Sequence, residues 1–330
     1  MLRTLPGLAL ALLALVGAWA LHLLVPWAPA LTICVVLGIV FAALPFRPGV
    51  RDVARPGLGV ATRRVLRLGI VLLGFQLSLA DVAGLGALVL VLIVAIVVLS
   101  FAITVVLGRA LGLPGNQPIL IAAGFSICGV SAIGAMSAAT GSDEDEAATP
   151  VALVTLCGTL AIAVLPLIAL PLALTPTQFG MWTGASVHDV GQVVATAQIA
   201  GATALAVAVV VKLTRVALLA PLVAITGAVL RRTNGARPPI VPLFLLGFLA
   251  AVVARTFLPL SSEFLTAASE VQFVLLGMAL FGLGAAIRVG TLVRTGSRAL
   301  AVAGLSWFAI GALSLGAVWI ATASGAPILG

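Results

Sequence analysis

Four ionisable side chains stand in stretches that are otherwise apolar: His188, Asp189, Lys212 and Arg215. A charge placed in hydrocarbon is costly, so such residues mark a site or a pathway until shown otherwise. Lys212 is the only lysine in the chain and lies three residues before Arg215 in the run VAVVVKLTRV, residues 207–216. Three-residue spacing puts both cations on one helix face. Two cations near the middle of an apolar segment have two uses. They form a buried site for an anion, or they rest in an ion pair with Asp189; a resting pair that opens to admit solute combines the two. His188 and Gln192, four apart, share a face if the helix is continuous. A histidine there relays protons, senses pH or simply packs.

Two stretches of small and hydroxyl residues accompany these charges. The first is Gly124 to Gly134, with Ser126, Cys128, Gly129 and Ser131 at its centre; the second is Gly180 to Asp189, with Gly184 and Ser186. Glycine frees the backbone from helical geometry, and serine hydroxyls satisfy the groups this releases. Each stretch therefore reads either as a broken helix, whose half-helix N-terminus faces an anionic solute, or as close packing by small residues. The candidate solute-binding set is Ser126, Cys128, Gly129, Ser131, Gly184, Ser186, His188, Asp189, Gln192, Lys212 and Arg215.

The elements that must position these residues are membrane spans. Of 330 residues, 62% are hydrophobic and 8% charged, against about 25% charged in a soluble domain. About 20 apolar residues cross a bilayer, and such runs occur at 5–24, 28–46, 65–80, 83–108, 117–139, 148–173, 178–200, 204–230, 239–260, 269–287 and 299–323. Ser142 and the acidic run Asp143, Glu144, Asp145 and Glu146 read as the N-cap and first turn of the sixth. The net charge of +8 belongs to loops and not to a nucleic-acid surface. With the N-terminus in the cytoplasm and strict alternation, Arg3, the arginines of 47–67, Arg109, those of 231–237 and those of 288–298 all fall inside, as the positive-inside rule requires. Asp81, Asp143 to Glu146 and Glu263 then fall outside, as does the C-terminus. The expected location is the inner membrane of a bacterium, in contact with lipid. Cys34, Cys128 and Cys157 show no metal-ligand spacing and read as small core residues.

Internal likeness is visible in two pairs of segments. Residues 70–83 resemble 273–286 and run in the opposite direction, as an inverted repeat demands. Residues 124–173 resemble 180–226, yet strict alternation makes that pair run the same way, and the conflict stands.

The stretches Leu68–Gly74, Ser126–Ile133, Trp182–Val194 and Lys212–Val216 resemble the YeiH family, whose members are assigned as sulfate exporters. The resemblance extends over nearly the whole chain; Asp189 stands where the family often has Glu. More distantly, the third to sixth spans look like one half of a sodium–bile acid symporter. The apolar runs amount to an all-α polytopic membrane protein of about eleven transmembrane helices; the likenesses bear on how these are arranged. They imply a five-plus-five repeat core with broken crossing helices and one extra N-terminal helix. The divisions are 1–27 for the extra helix, 28–175 for the first repeat and 176–330 for the second.

The expected activity is secondary transport of a small anion, sulfate or a sulfonate, by alternating access. No Walker motif is present, so a coupling ion, a proton or sodium, replaces a cofactor. Other small organic solutes, a passive channel and an intramembrane enzyme using His188 and Asp189 are the competing readings; no His-Glu-x-x-His supports the last. No catalytic or metal-binding residue is assigned. A homodimer is compatible with any lipid-facing helix.

Overall fold

The computed structural model describes residues 3–25, 29–44, 48–76, 78, 86–142, 144–229, 243–286 and 296–324. Among these, every regular element is helical. Six helices are long and apolar enough to cross a bilayer: Leu5–Leu24, Gly86–Ala110, Glu146–Ala169, Ala202–Val229, Ser262–Ala285 and Ser297–Ala323; shorter apolar helices accompany them. Large apolar side chains lie exposed along several of them, among them Leu13, Leu24 and Phe308. Water does not tolerate such faces on this scale, and lipid does. Arg47, Arg231, Arg232, Arg237, Arg288, Arg294, Asp81 and Asp143, used above to orient the spans, lie outside the described residues.

The chain forms two compact units, each drawn from both halves of the sequence: residues 1–82 with 242–288, and residues 83–241 with 289–330. They are therefore not the sequence repeats 28–175 and 176–330.

The first unit contains α1 (Leu5–Leu24), α2 (Ala30–Ala43), α3 (Pro48–Val60), which continues through a π turn into α4 (Leu66–Leu73), then α13 (Leu243–Phe257) and α14 (Ser262–Ala285). Glycine lets these helices touch backbone to backbone. A Cβ on Gly7 or Gly57 would press into the other helix of the α1–α3 pair, and one on Gly38 or Gly284 into the other of α2–α14, each far inside 3.0 Å. Such small-residue contacts carry helix association where no hydrophobic effect operates. Along α4 and α14, Gly282 lies against Thr62, Gly69 against Leu276, and Gln76 bonds to Gln272 and Ser269. Numbers rise on one helix as they fall on the other, so the two are antiparallel. The look-alike segments 70–83 and 273–286 thus run in opposite directions but largely do not face each other, since Gly282 lies against Thr62 and Gln76 against Gln272 and Ser269; residues 77 and 79–83 are outside the described set.

The second unit holds α5 (Gly86–Ala110), α6 (Gln117–Ser126), α7 (Val130–Thr140), α8 (Glu144–Ala169), α9 (Pro176–Ser186), α10 (Val190–Ala197), α11 (Ala202–Ala217), α12 (Leu219–Val229) and α15 (Ser297–Ala323). The expected fifth and seventh spans, 117–139 and 178–200, are both broken, at 127–129 and 187–189. Neither continues beyond its break. Gly124 on α6 touches Ile133 on α7, nine residues on, a separation of about 13 Å in a straight helix. Asn116 N–H donates to Glu146, and Gly124 meets Val154, so α6 and α8 run parallel with α7 returning between them. Likewise Gly180 lies against Ala204, and Gly184 against Ala208, so α9 and α11 run parallel with α10 returning.

Each broken segment is therefore a re-entrant hairpin that goes half-way in and comes back, and the expected crossing of two broken spans is instead a meeting of two hairpin tips. The first hairpin enters where α8 begins and the second where α8 ends, that is, from opposite sides. This removes the conflict of direction: 124–173 and 180–226 are inverted relative to each other. The two hairpins leave the sidedness of every later span unchanged. They do move the acidic run, because Asn116 in the α5–α6 connection bonds to Ser142 (3.0 Å) and Glu146. Glu146 thus lies on the same side as Arg109, not opposite it. Ser142 is not a free N-cap: its hydroxyl also meets Thr140 Oγ1 at 2.8 Å.

Candidate functional site

The hairpin tips meet beside the middle of two long helices. Val154, which lies against Gly124 and Gly129, is about 15 Å along α8 from its start, half of a hydrocarbon core of about 30 Å. Lys212 holds the corresponding place on α11 and α12.

Local sequence makes each tip. In the first, α6 ends at Ser126 and Gly129 takes φ 69°, ψ −132°, a left-handed region that only glycine occupies without strain. In the second, α9 starts with a reciprocal cap: Thr175 Oγ1 accepts from Gln178 N–H (3.2 Å) and Gln178 Oε1 from Thr175 N–H (2.9 Å). It ends at Ser186, and α10 starts at Val190. The two breaks align at one constant offset: Ser126, Ile127, Cys128, Gly129 and Val130 match Ser186, Val187, His188, Asp189 and Val190.

A helix that stops in hydrocarbon leaves its last carbonyls without partners, at several kcal/mol each. Here both first arms are capped by the two cations of α11. Lys212 Nζ donates to Ile127 O, Val187 O (2.9 Å) and His188 O; three acceptors match the three protons of an ammonium. Arg215 donates from Nε to Ser126 O (3.2 Å), from one terminal nitrogen to Ala185 O (2.5 Å), Gly184 O (3.2 Å) and Val187 O (3.3 Å), and from the other to Ser126 O (2.7 Å) and Phe125 O (3.2 Å). Both side chains are 0% exposed. Seven carbonyls from two hairpins that enter from opposite sides are thus gathered on one face of α11.

The amide ends at the tips are treated unequally. Asp189 Oδ1 accepts from Gly191 N–H at 2.9 Å, and Gln192 Oε1 accepts from Asp189 N–H at 3.2 Å. That carboxylate sits at the positive end of α10. At the corresponding place on α7 stands Gly129, which has no side chain, and Ser131 in the first turn is exposed.

The structure divides the expected site residues accordingly. Lys212, Arg215, Asp189, Gln192, Ser126, Cys128, Gly129 and His188 come together at the tips. Gln192 is a clamp: its Nε2 donates to Thr155 O on α8 at 3.1 Å. Because His188 lies in a break and not on a helix, the shared face expected for His188 and Gln192 does not exist. Ser186 Oγ donates back to Trp182 O at 2.6 Å. Gly184 faces α11, where a Cβ would come to 2.5 Å of Ala208 O; it is a packing residue. His188 Nδ1 is 3.1 Å from Phe125 O. A carbonyl only accepts, so Nδ1 carries a proton. Among the described residues, His188 Nε2, Ser126 Oγ and Thr183 Oγ1 are buried without a hydrogen-bond partner.

Thr155, Gly158 and Phe125 escaped the reading of the sequence. Nothing in the sequence marks Gly158; in the structure a Cβ there would overlap the Gln192 amide. Gly158→Ala is expected to expel that amide and loosen the start of α10, at about 1–2 kcal/mol. Thermal unfolding in detergent should show the loss in the wild-type background and almost none in Gln192→Ala. Equal losses in both backgrounds would mean that Gly158 acts elsewhere.

Paired re-entrant hairpins inside an all-α bundle with lipid-compatible faces define a multi-pass membrane protein. The chain belongs to the family described as conserved hypothetical protein 698, which matches residues 6–303. It is 42% identical to a UPF0324 membrane protein of Corynebacterium glutamicum over 296 residues, 88% of this chain and 85% of that one. It is 31% identical to a UPF0324 membrane protein of Agrobacterium fabrum over 301 residues (90% and 86%) and 34% identical to one of Bacillus cereus over 283 residues (83% and 82%). This membership agrees with the resemblance to the YeiH family. Nothing in these matches shows the more distant likeness to sodium–bile acid symporters, and no solved structure matches.

Proposed function

We propose that the protein is a secondary transporter that carries a small anion past the hairpin tips by alternating access. One observation carries this reading: the tip of α10 is closed by Asp189, whereas the equivalent tip of α7 has a glycine where that carboxylate would be. Two carbonyl ends and two amide ends meet here and offset one another. Among the described residues, Lys212 and Arg215 then face a single carboxylate, that of Asp189, an excess of one positive charge. An anionic group seated on the first turn of α7 restores balance, with Ser131 at its edge. Lys212 and Arg215 attract this anion through their field and not through direct bonds, since their donors already meet carbonyls.

The proposed substrate is sulfate or a small organic sulfonate, whose tetrahedral oxygens suit converging amide donors. The proposed setting is a bacterial inner membrane with the N-terminus inside and the C-terminus outside. The protein is proposed not to be an enzyme: the sequence has no His-Glu-x-x-His, and no second histidine stands near His188 in the chain.

The test is uptake of labelled sulfate, with taurine and a small sulfonate in parallel, into proteoliposomes under imposed pH gradients. Protein-dependent flux of one anion that falls at least about tenfold in Ser131→Val, without loss of thermal stability, supports the reading; a tenfold loss corresponds to about 1.4 kcal/mol. Folded protein that moves none of these anions refutes it.

A further inference from the structure

In membrane carriers with interrupted helices, unwound carbonyls and half-helix C-terminal ends are where a coupling cation is held. This protein has such ends in duplicate, and they are not vacant. The Lys212 ammonium takes Ile127 O, Val187 O and His188 O, and the Arg215 guanidinium takes carbonyls of Phe125, Ser126, Gly184, Ala185 and Val187. We propose that these two side chains are tethered occupants of the coupling-cation position, so that anion movement at the tips requires no sodium ion.

Three observations bear on this. The acceptors belong to both hairpins, so the position is the junction itself and not a peripheral cap. Both cations lie within one turn of a single helix and are 0% exposed, so no dissolved ion competes for the same oxygens. The cations are covalently held. A bound sodium ion leaves with its solute and thereby ties the solute to its own gradient; a lysine stays behind. Its charge still holds the two tips together and favours an anion on α7. What remains to drive uphill movement is the anion's own gradient, exchange for a second anion, the membrane potential or a proton. The inference rests on the reading of the chain as a transporter, and it is testable apart from that reading.

The first measurement is thermal unfolding of the purified wild-type protein in sodium chloride, potassium chloride and choline chloride at equal ionic strength. A ligand that binds only the folded state raises its melting temperature with concentration. Equal melting temperatures support the proposal. A saturable rise of more than about 5 °C in sodium alone overturns it.

The second is Lys212→Ala with n-butylammonium, which replaces the ammonium and stem that the variant lacks. Destabilisation that butylammonium reverses at millimolar concentration, and that choline does not, supports a cation position at the tips. A Lys212→Ala protein as stable as wild type overturns it. If the variant does not accumulate, the wild-type salt series decides alone.

The third is flux with sodium replaced by choline on both sides of the vesicle. Unchanged flux agrees with the proposal, and a tenfold or greater loss overturns it. If no anion moves in any salt, the transport reading fails, while the two stability measurements still decide what occupies the carbonyl ends.

Discussion

Arg215→Ala is expected to leave little folded protein. The guanidinium bonds to five carbonyls from two hairpins and is 0% exposed. A buried acceptor left without a partner costs roughly 1–3 kcal/mol, and several are orphaned together. A loss of roughly 5 kcal/mol would consume most of the stability of a typical domain. The measurement is the monodisperse fraction after size exclusion in mild detergent. Arg215→Lys should fall between wild type and Arg215→Ala. It keeps the charge but reaches fewer carbonyls than a planar fork does. Lys212→Ala, which orphans the carbonyls of Ile127 and His188 and leaves that of Val187 to Arg215, should be milder in stability and still abolish flux. An Arg215→Ala protein that is monodisperse and melts like wild type would show that the carbonyls find other partners and that the tips do not depend on this side chain.

Gly184→Ala is the second large effect. Its Cβ would stand 2.5 Å from Ala208 O and 2.9 Å from Val211 Cβ. Because the nearest atom is backbone, α9 has to move away from α11. The carbonyls of Gly184 and Ala185 are Arg215's partners, so the movement pulls the second tip off its cap. Overpacking of this kind costs about 1–3 kcal/mol, and flux should fall by at least about tenfold. Gly134→Ala is the control: nothing lies within 4 Å of its added Cβ, and an exposed helical alanine is neutral to mildly stabilising. The pair also separates two roles for Gly184. A packing residue loses melting temperature and flux together, whereas a residue that touches solute raises KM at unchanged melting temperature.

The residues that meet at the tips were visible in the sequence because hydrocarbon makes charge conspicuous. Lys212, Arg215, His188 and Asp189 stood out against apolar neighbours, and the glycine and serine runs marked both breaks. The turning back of each broken segment was not visible. Residues 117–139 are as long and apolar as a crossing helix, and composition does not record whether a chain that stops at mid-depth goes on or returns. The information lay in contact register, in Asn116 against Glu146 and Gly184 against Ala208. The Lys212 and Arg215 cap was missed for a related reason. Side chains advertise their charge, but the carbonyls that await them belong to every residue and carry no signature. Asp189 was read as a counter-ion first, although the Asp-x-x-Gln spacing through Gln192 already spells a reciprocal helix cap. The opposite directions of 70–76 and the equivalent part of α14 were legible, because both segments keep the same small and apolar pattern.

The bonds from Lys212 to Ile127 and from Arg215 to Ser126 and Phe125 span 85 to 90 residues of chain. During synthesis the first hairpin therefore leaves the ribosome long before its cap exists. At about 5–20 residues per second, roughly 4–18 seconds pass with its carbonyl end unanswered. A segment in that condition has no stable place in hydrocarbon and waits at the membrane surface or within the insertion machinery. The arrival of α11 completes both tips at once. Assembly of this half of the molecule is thus a late, concerted event, and a nascent chain that stalls before Lys212 presents the cell with two unfinished hairpins, not with half of a working protein.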